Sequence, residues 1–472
     1  MKIKKSIVLI CFLLGLMGCK KDFLEVTNDS RLIRQSYVND LKGLESFQNG
    51  IYVMLNQRFA DGIEEAYPEL AADNLKPREF PGLTLMYNWA QEKDDSSVLN
   101  LSNTAKNLNA VWGNGYLIIR ACNFVIEQSG KYHNENPTKA NNLKGQALAI
   151  RAMVFFRLVN FFAQPFSFTN AATHPGVPYI TTSDITKPFV RESVGEVYDK
   201  IIEDFKSSIN LLPEQTSDVR YMNRQAAEAL LARAYLFKGD FKNAADLSEK
   251  VGLAVPMMSI AAGYPDAMFA KKIGAGIEVL FQATPSDAYF SHFLGEYFRG
   301  TEPNFDASQD IVEILKEDSG DARSSWIGND MTITKFPLSI AGLRSTPSAD
   351  YYQPFIRSSE CFLTAAESFA KLGNEDKARD YINAVRLRAN PTARRTMLSG
   401  GQLIDLIERE RRKELCFEGL RLFDLRRIKK IVTRIDALPG SPKTLPYPSD
   451  KAIAPIPVQD TEIAGIQQNN GY

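Results

Sequence analysis

Apolar residues recur at helical spacing along most of the chain. Leu41, Leu44, Phe47, Ile51 and Met54 share one side of a helix predicted between Val38 and Phe59. Trp112, Tyr116, Ile119 and Phe124 repeat the pattern between Ala105 and Glu127. Leu143 to Phe162 is the most apolar segment beyond the N-terminus. Arg151 and Arg157 interrupt it, so it reads as a buried core helix and not as a membrane span. Val197, Ile201, Phe205 and Ile209 then line one face of Val194–Leu212, with Pro213 just past its end.

Two later stretches read as helical hairpins. In the first, Ala227, Leu230, Leu231, Ala234 and Tyr235 precede Gly239-Asp240, and Phe241, Ala244 and Leu247 follow. In the second, Phe362, Ala366, Phe369 and Ala370 lead to Gly373, then to Ala378, Tyr381, Ile382 and Val385. Glycine ends a helix because it takes the left-handed cap conformation without steric cost. Small residues between the paired helices let their backbones approach. LARAYLFKGDFKNAADLSEKV resembles a tetratricopeptide unit, and the Cys361–Val385 hairpin resembles it too. The two are about a hundred residues apart, which predicts a helical repeat scaffold with an insertion. Behind them, Glu408–Arg427 (ERERRKELCFEGLRLFDLRR) interleaves both signs of charge with Leu415, Phe417, Leu420 and Phe423. Glu410, Glu414 and Glu418 lie four apart, and Arg421, Asp424 and Arg427 continue in steps of three. That spacing predicts ion pairs on a helix surface, tying neighbouring helices together. Arg357 and Glu360 are likewise spaced to pair.

The helical pattern lapses in two places. Pro68, Pro77, Pro81 and Gly82 punctuate Tyr67–Leu101, where Tyr87 and Trp89 sit among polar residues. This stretch reads as a long structured loop. Leu253–Tyr352 scatters glycines and prolines among many aromatics and reads as an irregular insertion. Long irregular segments on a rigid scaffold are where binding tends to reside. Pro446–Tyr472 reads as an extended strip packed over the body.

Composition changes the picture mainly by exclusion. The chain has 472 residues, 24% of them charged, with a formal net charge of zero. No basic block stands without acids beside it, which argues against nucleic-acid binding. The N-terminus points to a location. Lys2, Lys4 and Lys5 precede an apolar stretch, Ser6–Gly18, that is too short to span a bilayer. It ends in Leu16-Met17-Gly18-Cys19, which looks like a bacterial lipobox. Cleavage there would leave Cys19 as the first residue, acylated on its amine and carrying a diacylglycerol on its thiol. Such chains anchor a protein to a membrane without a spanning segment. The plainer alternative is an ordinary signal peptide with an incidental cysteine. Of the five cysteines, Cys122, Cys361 and Cys416 lie in apolar helical surroundings and read as buried small hydrophobes.

In order and coverage, the motifs resemble the SusD/RagB family of outer-membrane nutrient-binding lipoproteins of Bacteroidetes. The lipobox is followed by KKDFLE. ALAIRAMVFFRLVNFF stands at Ala147–Phe162 and RESVGEVYDKIIEDFKSSINLLP at Arg191–Pro213. After the first hairpin come RSSECFLTAAESFAKLGN, YINAVRLRAN, ERRKELCFEGLRLFDLRR, PIP at Pro455–Pro457 and QNNGY at Gln468–Tyr472. The resemblance implies an all-α dominated, SusD-like fold. In it a tetratricopeptide-like helical repeat scaffold carries a large irregular ligand-binding insertion. It implies a signal peptide over residues 1–18, an N-terminal helical region over 19–252 and a C-terminal region over 253–472. The last divides into the insertion at 253–352, helices at 356–430 and a tail at 440–472. Lys20, Lys21 and Asp22 resemble the family's surface-export signal. A SusC-like TonB-dependent transporter is the implied partner, and an oligosaccharide or, in some relatives, a peptide is the implied ligand. No catalytic activity and no cofactor are implied.

Sugars need flat apolar faces for their C–H surfaces and polar groups for their hydroxyls. Trp89 and Trp326 stand in irregular segments and are the first stacking candidates. Tyr87, Tyr289 and Tyr297 come next, since a phenol offers a face and a hydroxyl. Core packing is the alternative for each, and the favoured one for Tyr289, Phe293 and Tyr297, which are four apart. No ligand residue is carried over from the family by motif. Enzyme signatures are sparse. His133, His174 and His292 form no metal-ligand spacing, and no GxSxG elbow, P-loop or CxxC is present. Gly274-Ala275-Gly276 lacks the third glycine of a dinucleotide fingerprint. Besides a glycan carrier, the sequence leaves open a peptide carrier, a lipid-anchored scaffold without a small ligand and an anchored glycoside hydrolase, which needs only two carboxylates.

Overall fold

The structure is a computed structural model, and it describes residues 38–56, 62–78, 81–92, 108–214, 218–266, 268, 278–283, 298, 303–336 and 353–472. The predicted amphipathic stripes become α1 (Leu41–Met54), α4 (Leu108–Ser129), α5 (Pro137–Phe162) and α6 (Val194–Leu211). Each start is set by local chemistry. Asn136 caps α5, with Pro137 in its first turn. Ser193 and Glu196 form a reciprocal capping box on α6. α5 is apolar on nearly every side because α4 and α6 flank it. It is the one described helix long and apolar enough to cross a membrane, and 94% of its most apolar window is buried inside the protein.

The two hairpins are α7 (Arg224–Lys238) with α8 (Phe241–Ala254), and α10 (Ser358–Lys371) with α11 (Glu375–Ala389). Their turns are alike. Gly239 and Gly373 take φ of 83° and 79°. Asp240 and Asn374 then cap the next helix through their side chains. Although distant in sequence, the hairpins stack directly, α8 on α10. The approach is close enough that a Cβ on Gly252 would meet the Phe362 ring at 3.1 Å. α12 (Gly400–Leu415) extends the stack beside α10 and α11. The helical repeat scaffold is therefore present as a continuous layer.

The segments read as irregular hold more structure than their composition predicts. Tyr67–Leu101 begins inside α2 (Ile63–Leu70), which carries Pro68, and continues through β1 (Leu75–Pro77) and α3 (Pro81–Tyr87). In 253–352, β2 (Val279–Ala283) pairs antiparallel with β4 (Gln353–Arg357), and β3 (Phe305–Ala307) pairs with β1. α9 (Gln309–Lys316) follows, capped by Ser308. A short ribbon of β5 (Val432–Thr433) and β6 (Thr444–Leu445) leads into the tail. The tail does lie over the body. Ala454 donates its N–H to the Phe161 carbonyl, and Asn469 donates to the Phe162 carbonyl at the end of α5.

The charged run departs most from its prediction. α12 stops at Leu415, the chain turns through Phe417 (φ 65°) and Gly419 (φ 78°), and α13 (Arg421–Arg427) resumes. The Glu69 carboxylate of α2 accepts the backbone N–H groups of Phe417, Gly419, Leu420 and Arg421 at 2.9–3.3 Å, satisfying donors that a new helix leaves open. Glu410 and Glu414 are buried and Glu418 nearly so, and these three pair with other segments, while Asp424 meets Arg411 and, at the expected three-residue step, Arg427. Arg357 bridges Glu278, Glu414 and Glu418, each at 2.7 Å. Arg388 joins Glu278 to Glu414 at 2.6 Å. Arg323 reaches Glu410 at 2.6 Å, and Lys335 reaches Glu418 at 2.7 Å. Glu360 pairs with Arg233, not with Arg357. Burial opposes the charge on Glu414, but Arg388, Arg357, Arg323 and Lys335 outweigh it and hold its carboxyl well below the usual range. The spacing reflects a core in which ions replace apolar contacts.

Candidate functional site

Three of the predicted stacking residues lie inside the core, which corrects their assignment as ligand platforms. Trp89 takes φ of 56° and donates its indole N–H to the Ala71 carbonyl at 2.8 Å. The Arg434 guanidinium lies 4.1 Å from its ring centre and 3.7 Å from that of Tyr87. Arg434 also donates to the carbonyls of Leu70, Ala72 and Tyr87, so both rings cover a cation that closes the α2–β1 turn. Trp326 is 1% exposed, with Lys335 of the ionic cluster 4.1 Å from its ring centre. Tyr264 meets Trp326 edge-on and donates its hydroxyl to Glu414 at 3.0 Å. None of the three rings has a face left for a sugar. Tyr289, Tyr297 and Cys19 lie outside the described residues. Cys122, Cys361 and Cys416 are buried, as predicted, and free.

In a different aromatic cluster one ring, Tyr221, reaches solvent. Between the C-terminal end of α1, the turn before α7 and the β2–β4 ribbon lies a cleft of about 290 Å³. That is near the small end of ligand pockets, about 300–1,000 Å³. Its wall is aromatic. Tyr52 meets Tyr221 edge-on at 5.1 Å between ring centres, and Phe281 stacks on Phe355 at 5.0 Å. Tyr221 is 39% exposed. Local hydrogen bonds hold this wall. The Tyr52 hydroxyl donates to Gln146 of α5 at 2.6 Å and accepts the Met222 N–H at 3.1 Å. Asn223 donates to the Leu280 carbonyl of β2, and the Gln282 N–H donates to the Val219 carbonyl. Burial pushes the Tyr52 phenol up, so it stays protonated.

Polar groups converge on the same space. Asn49, Asn56 and Gln282 line it, with Arg220 at the rim. Asn56 is 2% exposed, and its side-chain carbonyl oxygen has no hydrogen-bond partner. A buried acceptor left open costs about 1–3 kcal/mol, which a ligand hydroxyl would recover. Arg220 is held by Asp218, to which its Nε and Nη2 donate at 2.7–3.1 Å. That contact lowers the Asp218 carboxyl. Aromatic faces beside amides can grip the apolar side of a sugar ring and its hydroxyls together. The sequence held two signals for this site. Tyr52 stands off the Leu41–Leu44–Ile51 stripe of α1, and Tyr221 interrupts a polar stretch ahead of α7.

A family profile described as starch-binding and associating with the outer membrane matches residues 22–236, and the SusD family profile matches residues 297–469. The chain belongs to the SusD/RagB family. A SusD-like protein of Formosa agariphila, named P2, is 24% identical over 480 residues, covering 90% of this chain and 91% of its own. A crystal structure of a putative sugar-binding protein from Bacteroides vulgatus superposes with TM-score 0.78 at 27% identity, covering 92% of this chain and 99% of its own. A SusD-like protein described as laminarin-binding superposes with TM-score 0.69 at 20% identity, covering 92% and 100%. The SusD-like, helix-rich fold is thus shared along the chain, and the family is one of outer-membrane-associated carbohydrate binders.

Proposed function

We propose that this protein is a cell-surface lipoprotein, anchored through Cys19, that captures oligosaccharides in the Tyr52–Tyr221 cleft and passes them to a SusC-like TonB-dependent transporter. Membership of a carbohydrate-binding, outer-membrane-associated family supports the ligand class and the location. The Leu16–Cys19 lipobox supports the anchor. The observation that carries the site is the pairing of the exposed Tyr221 side chain with the open Asn56 acceptor. The reading assigns no chemistry to the ligand: it is bound and released unchanged.

The test incubates the mature protein with a panel of oligosaccharides and peptides, then measures the retention and the mass of each. Retention of oligosaccharides at unchanged mass is expected. Shortened chains would replace this reading with an enzyme, and retention of peptides alone would change the ligand class. For the anchor, Cys19→Ala is expected to move the protein out of the membrane fraction. Continued membrane retention of that variant would count against lipidation.

A further inference from the structure

The electrostatics of the cleft narrow the ligand further, resting on the proposal that the cleft binds oligosaccharides. Its described lining contains one charged side chain, Arg220. That charge is already spent: Asp218 takes Nε and Nη2 in a fork geometry. The Asp218 carboxyl is held below its usual range, chiefly by this hydrogen bond, so it stays ionised and the pair carries no net charge. Two further polar features disfavour an anion. The open oxygen of Asn56 accepts from hydroxyls and would face a carboxylate or sulfate oxygen without a proton between them. Asn49 and Tyr52 sit in the last turns of α1 and Asn56 just past its end, on the side of the negative pole of the helix dipole. The opposite pole, at the start of α7, is occupied by its own cap: Asn223 Oδ1 accepts the Ala226 N–H at 2.9 Å. The neighbouring phenol of Tyr52 is kept neutral by burial.

We infer that the cleft selects uncharged oligosaccharides over uronate- or sulfate-bearing ones, and that Asp218 sets this preference by neutralising Arg220. The Asp218–Arg220 pair then acts as a charge filter at the rim, while Tyr221 and Asn56 do the binding.

The test is calorimetric titration of the mature protein with an oligoglucuronate and with the same chain after its carboxyls are reduced to alcohols. A neutral β-glucan of equal length serves as a third ligand. The carboxyl-reduced chain is expected to bind at least tenfold more tightly than its acidic parent. Asp218→Asn, which removes the carboxylate charge beside Arg220, is expected to strengthen binding of the acidic chain about tenfold and to make that gain fall with added salt. Arg220→Met leaves Asp218 alone and is expected to widen the neutral-over-acidic ratio. Tyr221→Ala and Asn56→Leu are expected to weaken the neutral ligands about tenfold. Equal or tighter binding of the acidic parent to the unaltered protein would overturn the inference and leave the glycan reading intact. So would a narrowed ratio in Arg220→Met, or neutral binding untouched by both cleft variants. Failure of all three chains to bind, while peptides are retained, would instead remove the glycan reading on which the inference rests.

Discussion

The ionic cluster around Arg357 and the cleft around Tyr221 are both built from aromatics beside polar side chains, yet they have opposite fates. In the cluster every acid meets a base from another segment, and the rings of Trp326 and Tyr264 lie over Lys335 and Arg388. In the cleft one aromatic side chain, Tyr221, is exposed and a buried acceptor is left open. Open buried polar atoms occur in both regions, Trp326 Nε1 and Arg388 Nε in the cluster and Asn56 Oδ1 in the cleft, so the exposure of the ring is what separates them. An aromatic residue in an irregular segment is not evidence of binding until its face is known to be free.

The largest effect should come from breaking the cluster. Arg357→Ala strands Glu278, Glu414 and Glu418 in the core, and is expected to cost about 3–5 kcal/mol in urea unfolding. A loss well under 1 kcal/mol would mean that the cluster is no more than a neutral filling. Trp326→Ala should follow, at about 3 kcal/mol for an emptied core site. Glycan affinity of its folded fraction should not change. If affinity collapsed while the fold survived, Trp326 would return as a ligand residue and the contrast between the two regions would fail.

Protonation of Asp73 alone gives the smallest of the three effects. Burial pushes Asp73 up, but Arg421 and Arg412 prevail and hold it at about 2, below its ordinary value of 3.8. A depressed carboxylate contributes stability that is fully present above its unfolded value and is lost as pH falls through the folded one. Asp73 alone should therefore withdraw about 2 kcal/mol as pH drops from about 4 towards 2. Glu414, Glu418 and Asp424 shift in the same direction and steepen the loss. Thermal melts across that range read it. A melting temperature that stayed flat would show that these ion pairs persist in the unfolded chain.

Much of the scaffold was legible in the sequence. The stripes of α1, α4, α5 and α6, the two Gly-Asp and Gly-Asn turns, the buried character of Leu143–Phe162 and the tail over the body all follow from spacing and capping over a few residues. Those signals are local, and local physics decides them. The proline-marked stretch after Tyr67 misled for the same reason. Pro68 and Pro81 suggest a loop, but Pro81 opens α3 at a position where its missing N–H costs nothing, and Pro68 is carried in a short helix packed from all sides. The acids of Glu408–Arg427 fit a surface pattern by spacing alone. Their partners Arg357, Arg388, Arg323 and Lys335 come from segments whose proximity no period reveals.

By itself, then, the chain's sequence determined where helices start and stop, that they pair as repeats and which family they build. Each of these is encoded in neighbours within a turn or two, or in short motifs read in order. Only the tertiary structure decided which aromatics are covered and which are open. Arg434, whose guanidinium lies against Tyr87 and Trp89, is 347 residues from the Tyr87 carbonyl it donates to. Tyr52 and Tyr221 meet across a comparable gulf, since Met222 N–H reaches the Tyr52 hydroxyl over 170 residues. Exposure of a ring face is a property of packing between distant segments, and side-chain periodicity carries no information about which segments those are.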